Sequence, residues 1–246
     1  MFSLLSGFFK WLFSKTEVQI LIIGLDHAGK TTLLEQMKGI FHKSANQIPL
    51  DKIPPTVGLN IGRMDINNCR VIFWDLGGQI ALRSIWDKYY SEAHGLIFVL
   101  DSADTDRFEE AKAAMESLVD HPELTGVPLL VCANKQDLPT AKEFEDIDAY
   151  FQITDDAAKH AASSAAKNSG SSHTSASNAE AGALLDVVDT HPLGIDSHHR
   201  SATGKRRERR LQPVSALTCS GIEVGIRWLI DAVISNPDVI RARGPH

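Results

Sequence analysis

The chain is poor in cysteine. Its three, Cys69, Cys132 and Cys219, are scattered over 246 residues and form no C-x-x-C pair. That excludes a disulfide framework and the usual zinc and redox motifs. Cys69 and Cys132 stand in or beside strand-like runs, where a free thiol behaves as a small buried hydrophobe, and this suits a reducing cytosol. Long apolar runs are missing too: none reaches the ~18 continuous residues that a membrane-crossing helix needs. Positive charge is in deficit. Against 31 Asp and Glu stand 25 Lys and Arg, a formal charge of −6, with a pI near 5.9. Bulk attraction to nucleic acid is therefore excluded. The N-terminus lacks the basic n-region and small-residue cleavage site of a signal peptide.

What is present suffices for a packed core, since 43% of the residues are hydrophobic. The length suits one domain, or one domain with an appendage. Strand-like and helix-like segments alternate. Val18–Leu25, Val57–Ile66, Arg70–Asp75, Leu96–Asp101, Val127–Asn134 and Pro213–Ala216 read as strands, the second and third joined at the turn "NNC". Helices are predicted to begin at Lys30–Lys38 and to occupy Asp104–Val119 and Gly221–Ile234. This alternation specifies an α/β fold, a mostly parallel sheet with helices on both faces and ligands at the carboxyl ends of the strands.

Two segments depart from that pattern. Asp155–Arg210 is Ala/Ser-rich low-complexity sequence that closes on "GKRRERR". It has too few large apolar residues for a core, so we expect a disordered surface insertion, which a parent domain of 17–154 and 211–236 tolerates at small entropic cost. Its histidines (His160, His173, His191, His198, His199) lack ligand spacing, and Lys205–Arg210 reads as a solvated basic stretch. The second segment, residues 1–16, predicts an amphipathic helix. Phe2, Leu5, Phe8, Phe9, Leu12 and Phe13 recur at helical spacing, with Ser3, Ser6, Lys10 and Ser14 on the polar strip. Such a helix packs on its own domain or lies in a membrane surface, and a switch protein can use both in different states. Residues 237–246 are expected to be a tail.

The chemistry gathers at the strand ends. "GLDHAGKTT" (Gly24, Leu25, Asp26, His27, Ala28, Gly29, Lys30, Thr31, Thr32) fits the phosphate-binding loop G-x-x-x-x-G-K-[ST]. Its glycines let backbone N–H groups approach phosphate oxygens at a helix N-terminus. Lys30 would reach the β- and γ-phosphates, and the Thr31 hydroxyl would ligate Mg²⁺. In "WDLGGQ", Asp75 can hold Mg²⁺ through water, the Gly78 N–H can bond a γ-phosphate, and Gln79 can orient an attacking water. In "NKQD", Asp137 can accept from guanine N1–H and the 2-amino group, which adenine lacks. Asn134 would tie that loop to the phosphate loop, and the Lys135 stem would cover the ring. In "SAL" (Ser215, Ala216, Leu217) the Ala216 N–H can donate to guanine O6.

With these motifs in this order, the chain resembles the small GTPases of the Arf family. "GLDHAGKTT", "PTVGLN", "WDLGGQ", "DKYY", "LDSADTDR" and "ANKQD" carry the resemblance, over roughly Met1–Phe151 and Leu211–Ile234. "TVGLNIG", "SIWDKYY", "AHGLIFVLDS" and "SLLSGFF" are similar to the Arf-related branch at the trans-Golgi. The resemblance implies a P-loop GTPase fold and a GTP/GDP switch with Mg²⁺. It implies that Thr56 completes the Mg²⁺ shell and contacts the γ-phosphate in the GTP state. It implies an exchange factor, a GTPase-activating protein, effectors and a Golgi membrane receptor as partners, and no nucleic acid. We expect a cytoplasmic monomer, peripheral on Golgi membrane, serving vesicle trafficking.

The departures are specific. Phe2 stands where many members have the glycine that is myristoylated, so that anchor is impossible. An acetylated Met-Phe start captured by a membrane protein is the implied substitute. His27 and Ile80 replace more usual residues, and Asp26 is expected to crowd the γ-phosphate and slow intrinsic hydrolysis. A GTP-binding scaffold with negligible turnover, its insertion an interaction module, is the alternative that Ile80 favours and Gln79 opposes. A nucleotide kinase is disfavoured by "NKQD" and by the lack of a second substrate domain.

Overall fold

Every second residue of the first strand, Val18, Ile20 and Ile22, is fully buried, and so are Leu21 and Ile23 on the other face. A strand apolar on both faces must lie at the centre of a covered sheet. The computed structural model describes residues 15–42, 48–154 and 207–243, and in it this strand, β1 (Glu17–Ile23), is central. The other elements are α1 (Lys30–His42), β2 (Leu59–Ile66), β3 (Cys69–Leu76), α2 (Ile80–Arg83), β4 (Gly95–Asp101), α3 (Phe108–Val119), β5 (Leu129–Asn134), α4 (Phe144–Phe151), β6 (Arg209–Pro213), α5 (Ile222–Ile234) and α6 (Pro237–Ala242). The helix expected over Phe2–Phe13 and the insertion expected from Asp155, as far as residue 206, lie outside the described residues.

The strand order is β2-β3-β1-β4-β5-β6, with β2–β3 antiparallel and every other pair parallel. The sheet divides two cores. On one face Val18, Ile20, Ile22, Phe73 and Val99 meet Leu33, Leu34 and Met37 of α1 and Ile226, Leu229 and Ile230 of α5. On the other, Leu21, Ile23, Phe98 and Leu100 meet Ala111, Met115 and Leu118 of α3 and Ile147 and Phe151 of α4. Each fully buried Leu, Ile or Phe stabilises by roughly 1.5–3 kcal/mol relative to exposure. Cys69 and Cys132 are buried free thiols, as expected. β2 and β3 turn on Asn67 and Asn68, both at positive φ (48° and 62°), the geometry of a tight two-residue hairpin. The tip is tied to α5: Asn67 Nδ2 donates to Asp231 Oδ1 (2.7 Å), and Arg227 Nη1 donates to Asn67 Oδ1 (2.8 Å).

Three readings need correction, and one helix went unread. The last strand is Arg209–Pro213, not Pro213–Ala216, so it begins inside the stretch assigned to the insertion. Arg209 pairs with Leu129 and Arg210 with Leu130. β6 is an edge strand, and charged side chains on an edge discourage further pairing; a strand written in arginine therefore looks like a solvated run. The basic run is not all solvated either, because Arg207 Nη2 donates to the carbonyls of Val119 (3.1 Å) and Leu124 (2.5 Å). The expected tail starts with a helix, Pro237–Ala242, whose Val239 is buried and whose Pro237 stands at its first turn, where a missing N–H costs nothing. Finally, α4 was not anticipated; it ends on Gln152 in the left-handed region (φ 53°).

The new boundary has a measurable consequence. Removing residues 155–204 keeps Arg207 and the β5–β6 ladder, and we expect it to leave the thermal midpoint near that of the full chain. Removing 155–210 takes both away, and the midpoint should fall by several degrees, read by circular dichroism.

Candidate functional site

The parallel strands deliver their carboxyl ends to one edge, and the loops there bring the motifs together. Gly24 follows β1 at φ +144°, and a Cβ on it would stand 2.3 Å from Val99 O, so only glycine lets the loop leave the sheet there. Gly29, at φ +92°, lies against Asn134, whose Nδ2 would be 2.4 Å from an added Cβ. Between them Leu25 and Ala28 are buried. His27 takes φ 61° with its side chain 79% exposed, so the loop uses its backbone, as its departure from the usual residue requires. Thr32 follows in the first turn of α1.

Lys30 is buried, and its ammonium donates to Leu25 O at 2.6 Å. It forms no ion pair among the described residues. Burial pushes its pKa down to about 8 against the raising charges of Asp75 and Asp26. An ammonium held this way gains strongly from an anion placed beside it.

Next to it three oxygen-bearing side chains meet. Thr31 Oγ1 lies 2.6 Å from Thr56 Oγ1 and donates to Asp75 Oδ2 at 2.8 Å. Thr56 reaches the same carboxylate at 3.3 Å, and Asn60 Nδ2 at 3.5 Å. Burial raises the Asp75 pKa, and the bonds from Thr31, Asn60 and Thr56 oppose that rise. Asp75 Oδ1 is buried and takes no hydrogen bond among the described residues. Two hydroxyls and a carboxylate with a spare lone pair fit Mg²⁺, which takes few protein ligands and keeps other positions for water and phosphate. A cluster of three or more His, Cys, Asp or Glu suited to a metal is absent among the described residues, and the insertion's histidines up to His199 lie outside them.

Gly78 is pressed onto the phosphate loop: an added Cβ would meet Asp26 N at 2.4 Å and Gly24 O at 2.5 Å. Gln79 is exposed and stands at the position before the one-turn helix α2, with no side-chain bond to the helix's first turn. Ile80 beside it is 75% exposed, offered outward rather than packed into the site.

At the other end Asn134 is a buried cross-link. Its Nδ2 donates to Ala28 O (2.8 Å), and its Oδ1 accepts from Ala216 N (2.9 Å). The Ala216 N–H, assigned to guanine O6 by the sequence reading, is therefore engaged by Asn134 here. Ser215 Oγ donates to Asp137 Oδ1 (2.5 Å) and accepts from Thr218 N (3.1 Å), which aims the carboxylate. Lys135, at φ 67°, pairs through Nζ with Asp101 Oδ2 at 2.6 Å. Leu217 is 62% exposed.

The structure adds residues that motif reading passed over. Arg107 Nη2 donates to Asp26 Oδ1 at 2.7 Å and Arg107 Nε to Glu110 Oε2 at 2.8 Å. Burial works to raise the Asp26 pKa, but the bond and charge of Arg107 prevail and lower it. The Asp26 carboxylate, expected to crowd a phosphate, is thus taken up by Arg107. The i, i+3 spacing of Arg107 and Glu110 was the available signal. Trp86 Nε1 fixes Gly77 O (3.0 Å), and Gly77 N bonds Gly58 O (3.0 Å), joining the two loops that hold Thr56 and Gln79.

Comparison with known proteins agrees with this geometry. Residues 4–181 match the ADP-ribosylation factor family. ADP-ribosylation factor-related protein 1 of Homo sapiens is 41% identical over 236 residues, covering 96% of this chain and 94% of that protein. ADP-ribosylation factor-like protein 3 of Saccharomyces cerevisiae is 35% identical over 231 residues, covering 94% and 92%. Among solved structures, the Trypanosoma brucei Arl6 BBS3 small GTPase with bound nucleotide analogue GppNp superposes with a TM-score of 0.59. It is 22% identical and covers 89% of this chain and 99% of its own, a likeness of fold.

The Asn134 cross-link is directly testable. Asn134→Asp sets a carboxylate oxygen against Ala28 O in place of a donor. We expect a loss of about 1–3 kcal/mol in urea unfolding, the cost of a buried group left without its partner.

Proposed function

The chain belongs to the ADP-ribosylation factor family and is a GTPase, and on that premise we propose that it is a GTP/GDP switch recruited to Golgi membranes, where its GTP form recruits effectors for vesicle trafficking. The observation that carries this reading is the meeting of Thr56 with Thr31 and Asp75. Thr56 belongs to the loop before β2, outside the phosphate loop. A hydroxyl delivered from a separate segment makes the docking of that segment sensitive to what the phosphate loop holds.

In this reading Lys30 holds the β- and γ-phosphates, together with the backbone of Gly24, Leu25, Asp26, His27, Ala28 and Gly29 and the first turn with Thr32. Thr31 and Thr56 would hold Mg²⁺, with Asp75 through water. The ion, when bound, neutralises charge between the phosphates. The Gly78 N–H donates to the γ-phosphate, and Gln79 orients the attacking water. Asp137, aimed by Ser215, reads the guanine edge; Lys135 covers the ring; and Asn134 with Ala216 and Leu217 closes the base loop. Burial shifts Lys30 and Asp75 each away from its charged form, which supports this assignment, since a bound phosphate and cation would favour the charged forms.

The membrane end of the proposal rests on Phe2, Leu5, Phe8, Phe9, Leu12 and Phe13. An amphipathic helix alone attaches reversibly, so a Golgi membrane protein is the second signal. No helix among the described residues is long and apolar enough to cross a membrane. The β2–β3 hairpin is the element that couples the ends: in the GDP state it leaves a pocket for the helix, and in the GTP state it fills the pocket and expels the helix. Coupling of this kind is reciprocal, so membrane also favours GTP. An exchange factor and a GTPase-activating protein drive the cycle. Exposed Ile80 changes the surface such a regulator meets.

Asp137→Asn should weaken GTP binding by roughly a hundredfold or more and turn preference toward xanthine nucleotides, because a site built on hydrogen bonds rejects a base that leaves them unmade. Competition between GTP and XTP for the purified protein reads this. The switch itself is tested by flotation. Protein loaded with a non-hydrolysable GTP analogue should float with Golgi membranes better than GDP-loaded protein, and Phe8→Asp with Phe9→Asp should erase the difference. Equal flotation of both forms would sink the coupled switch.

A further inference from the structure

Gln79 stands on a helix too short to support itself. α2 has four residues, and a single turn is unfavourable in isolation. Something else must hold the Gly78–Gln79 peptide. The backbone contact of Gly78 with the phosphate loop limits it from one side. From the other, Arg83 Nε donates to Gly78 O at 2.8 Å.

Arg83 is itself aimed. Its Nη2 donates to Glu110 Oε1 at 2.7 Å. The second oxygen of that carboxylate accepts from Arg107 Nε at 2.8 Å, and Arg107 Nη2 and Nη1 reach Asp26 Oδ1 at 2.7 Å and Asp26 O at 3.3 Å. The chain of bonds closes a ring: phosphate loop, Arg107, Glu110, Arg83, Gly78 and the phosphate loop again. Each charge in it is answered, two guanidinium groups against two carboxylates. The side chains are 18–32% exposed, so an isolated pair here would be worth little. The ring's distinctive member is the Gly78 carbonyl, the neutral group next to Gln79. It converts an ion-pair network into a constraint on one peptide, and the guanidinium fork can hold carbonyl and carboxylate at once in a fixed plane.

We propose that Arg83 is a positioning residue for GTP hydrolysis, holding the Gly78–Gln79 peptide at the phosphate end of the site, with Glu110 and Arg107 aiming it from α3 and the segment before it. The proposal rests on the reading of Gln79 as the residue that orients water. It makes α3 a part of the hydrolytic machinery through Glu110, whose carboxylate is bonded to the phosphate loop by way of Arg107. A partner that pulls Glu110 away would slow turnover without touching Gln79.

The test compares wild type, Arg83→Met, Arg83→Lys, Gln79→Leu and the reversed pair Arg83→Glu with Glu110→Arg. Hydrolysis of pre-bound GTP is followed in single turnover, alone and with cell extract, beside the release rate of a fluorescent GDP. Hydrogen exchange of residues 77–83 is measured with a non-hydrolysable analogue bound. Misplacing a reacting group by about 1 Å costs on the order of 10²-fold, so Arg83→Met should hydrolyse about ten- to a hundredfold more slowly. Its nucleotide release should be unchanged and its exchange at Gly78–Leu82 faster. Arg83→Lys, which cannot fork, should fall between, and serves if Arg83→Met does not fold. The reversed pair restores the charges but not the bond to Gly78 O, and should stay slow. Wild-type speed in Arg83→Met beside a slow Gln79→Leu overturns the Arg83 proposal alone. Wild-type speed in both removes Gln79 as well. A reversed pair that regains full speed, or slow hydrolysis matched by faster nucleotide release, shows a merely stabilising network and also overturns it.

Discussion

One buried amide holds the site's parts in register. Asn134 ends β5, yet its side chain bonds the phosphate loop after β1 on one side and the loop after β6 on the other. Each of these loops leaves a different strand, and nothing in the sheet ladder fixes their mutual height. A buried donor and a buried acceptor on one side chain do so, because leaving either unmade is costly. Gly29 is glycine for the same reason: the amide occupies the space a Cβ would need. The base end and the phosphate end are thus one rigid piece, and a ligand that bridges them meets a preformed site.

The phosphate end is held differently, by charges kept out of water. Lys30 and Asp75 are both buried, and burial shifts the two pKa values in opposite directions, each away from its charged form. Close-packed hydroxyls of Thr31 and Thr56 soften this for Asp75 but leave one carboxylate oxygen unused among the described residues. Such an arrangement is poor for stability and good for gripping a phosphate-bound cation, because the desolvation has been met during folding. The stability it forgoes is supplied elsewhere, by two large cores that the sheet separates.

Much of this was legible in the residues. β1, β4 and β5 announce themselves as apolar runs buried on both faces, and the turn Asn67–Asn68 is written in its residue types. The glycines, Lys30, Thr31, Asp75, Asn134 and Asp137 follow from short motifs whose spacing reflects local backbone geometry. What stayed hidden was long-range or contrary to type. β6 is hidden by arginines that suit an edge, and α4 has only two inward apolar residues, Ile147 and Phe151, besides Phe144 at its start. The bond from Ala216 N to Asn134 and the hold of Arg107 on Asp26 join residues 82 and 81 positions apart, and no local pattern encodes such a meeting.

The hairpin has a further consequence. Along β3, Val71, Phe73 and Asp75 face inward and alternate with Arg70, Ile72 and Trp74, and β3 lies in parallel register with β1, Ile22 opposite Asp75. A slip of one residue would turn every inward side chain to the opposite face, taking Phe73 out of its own core and Asp75 away from Thr31. Any travel of the hairpin along β1 must therefore come in even steps, about 6.6 Å for two residues. The tip reinforces this, since Asn67 exchanges hydrogen bonds with Arg227 and Asp231 that are either made or broken. Intermediate settings are excluded by pleat geometry, so any displacement of this hairpin would be stepwise rather than graded.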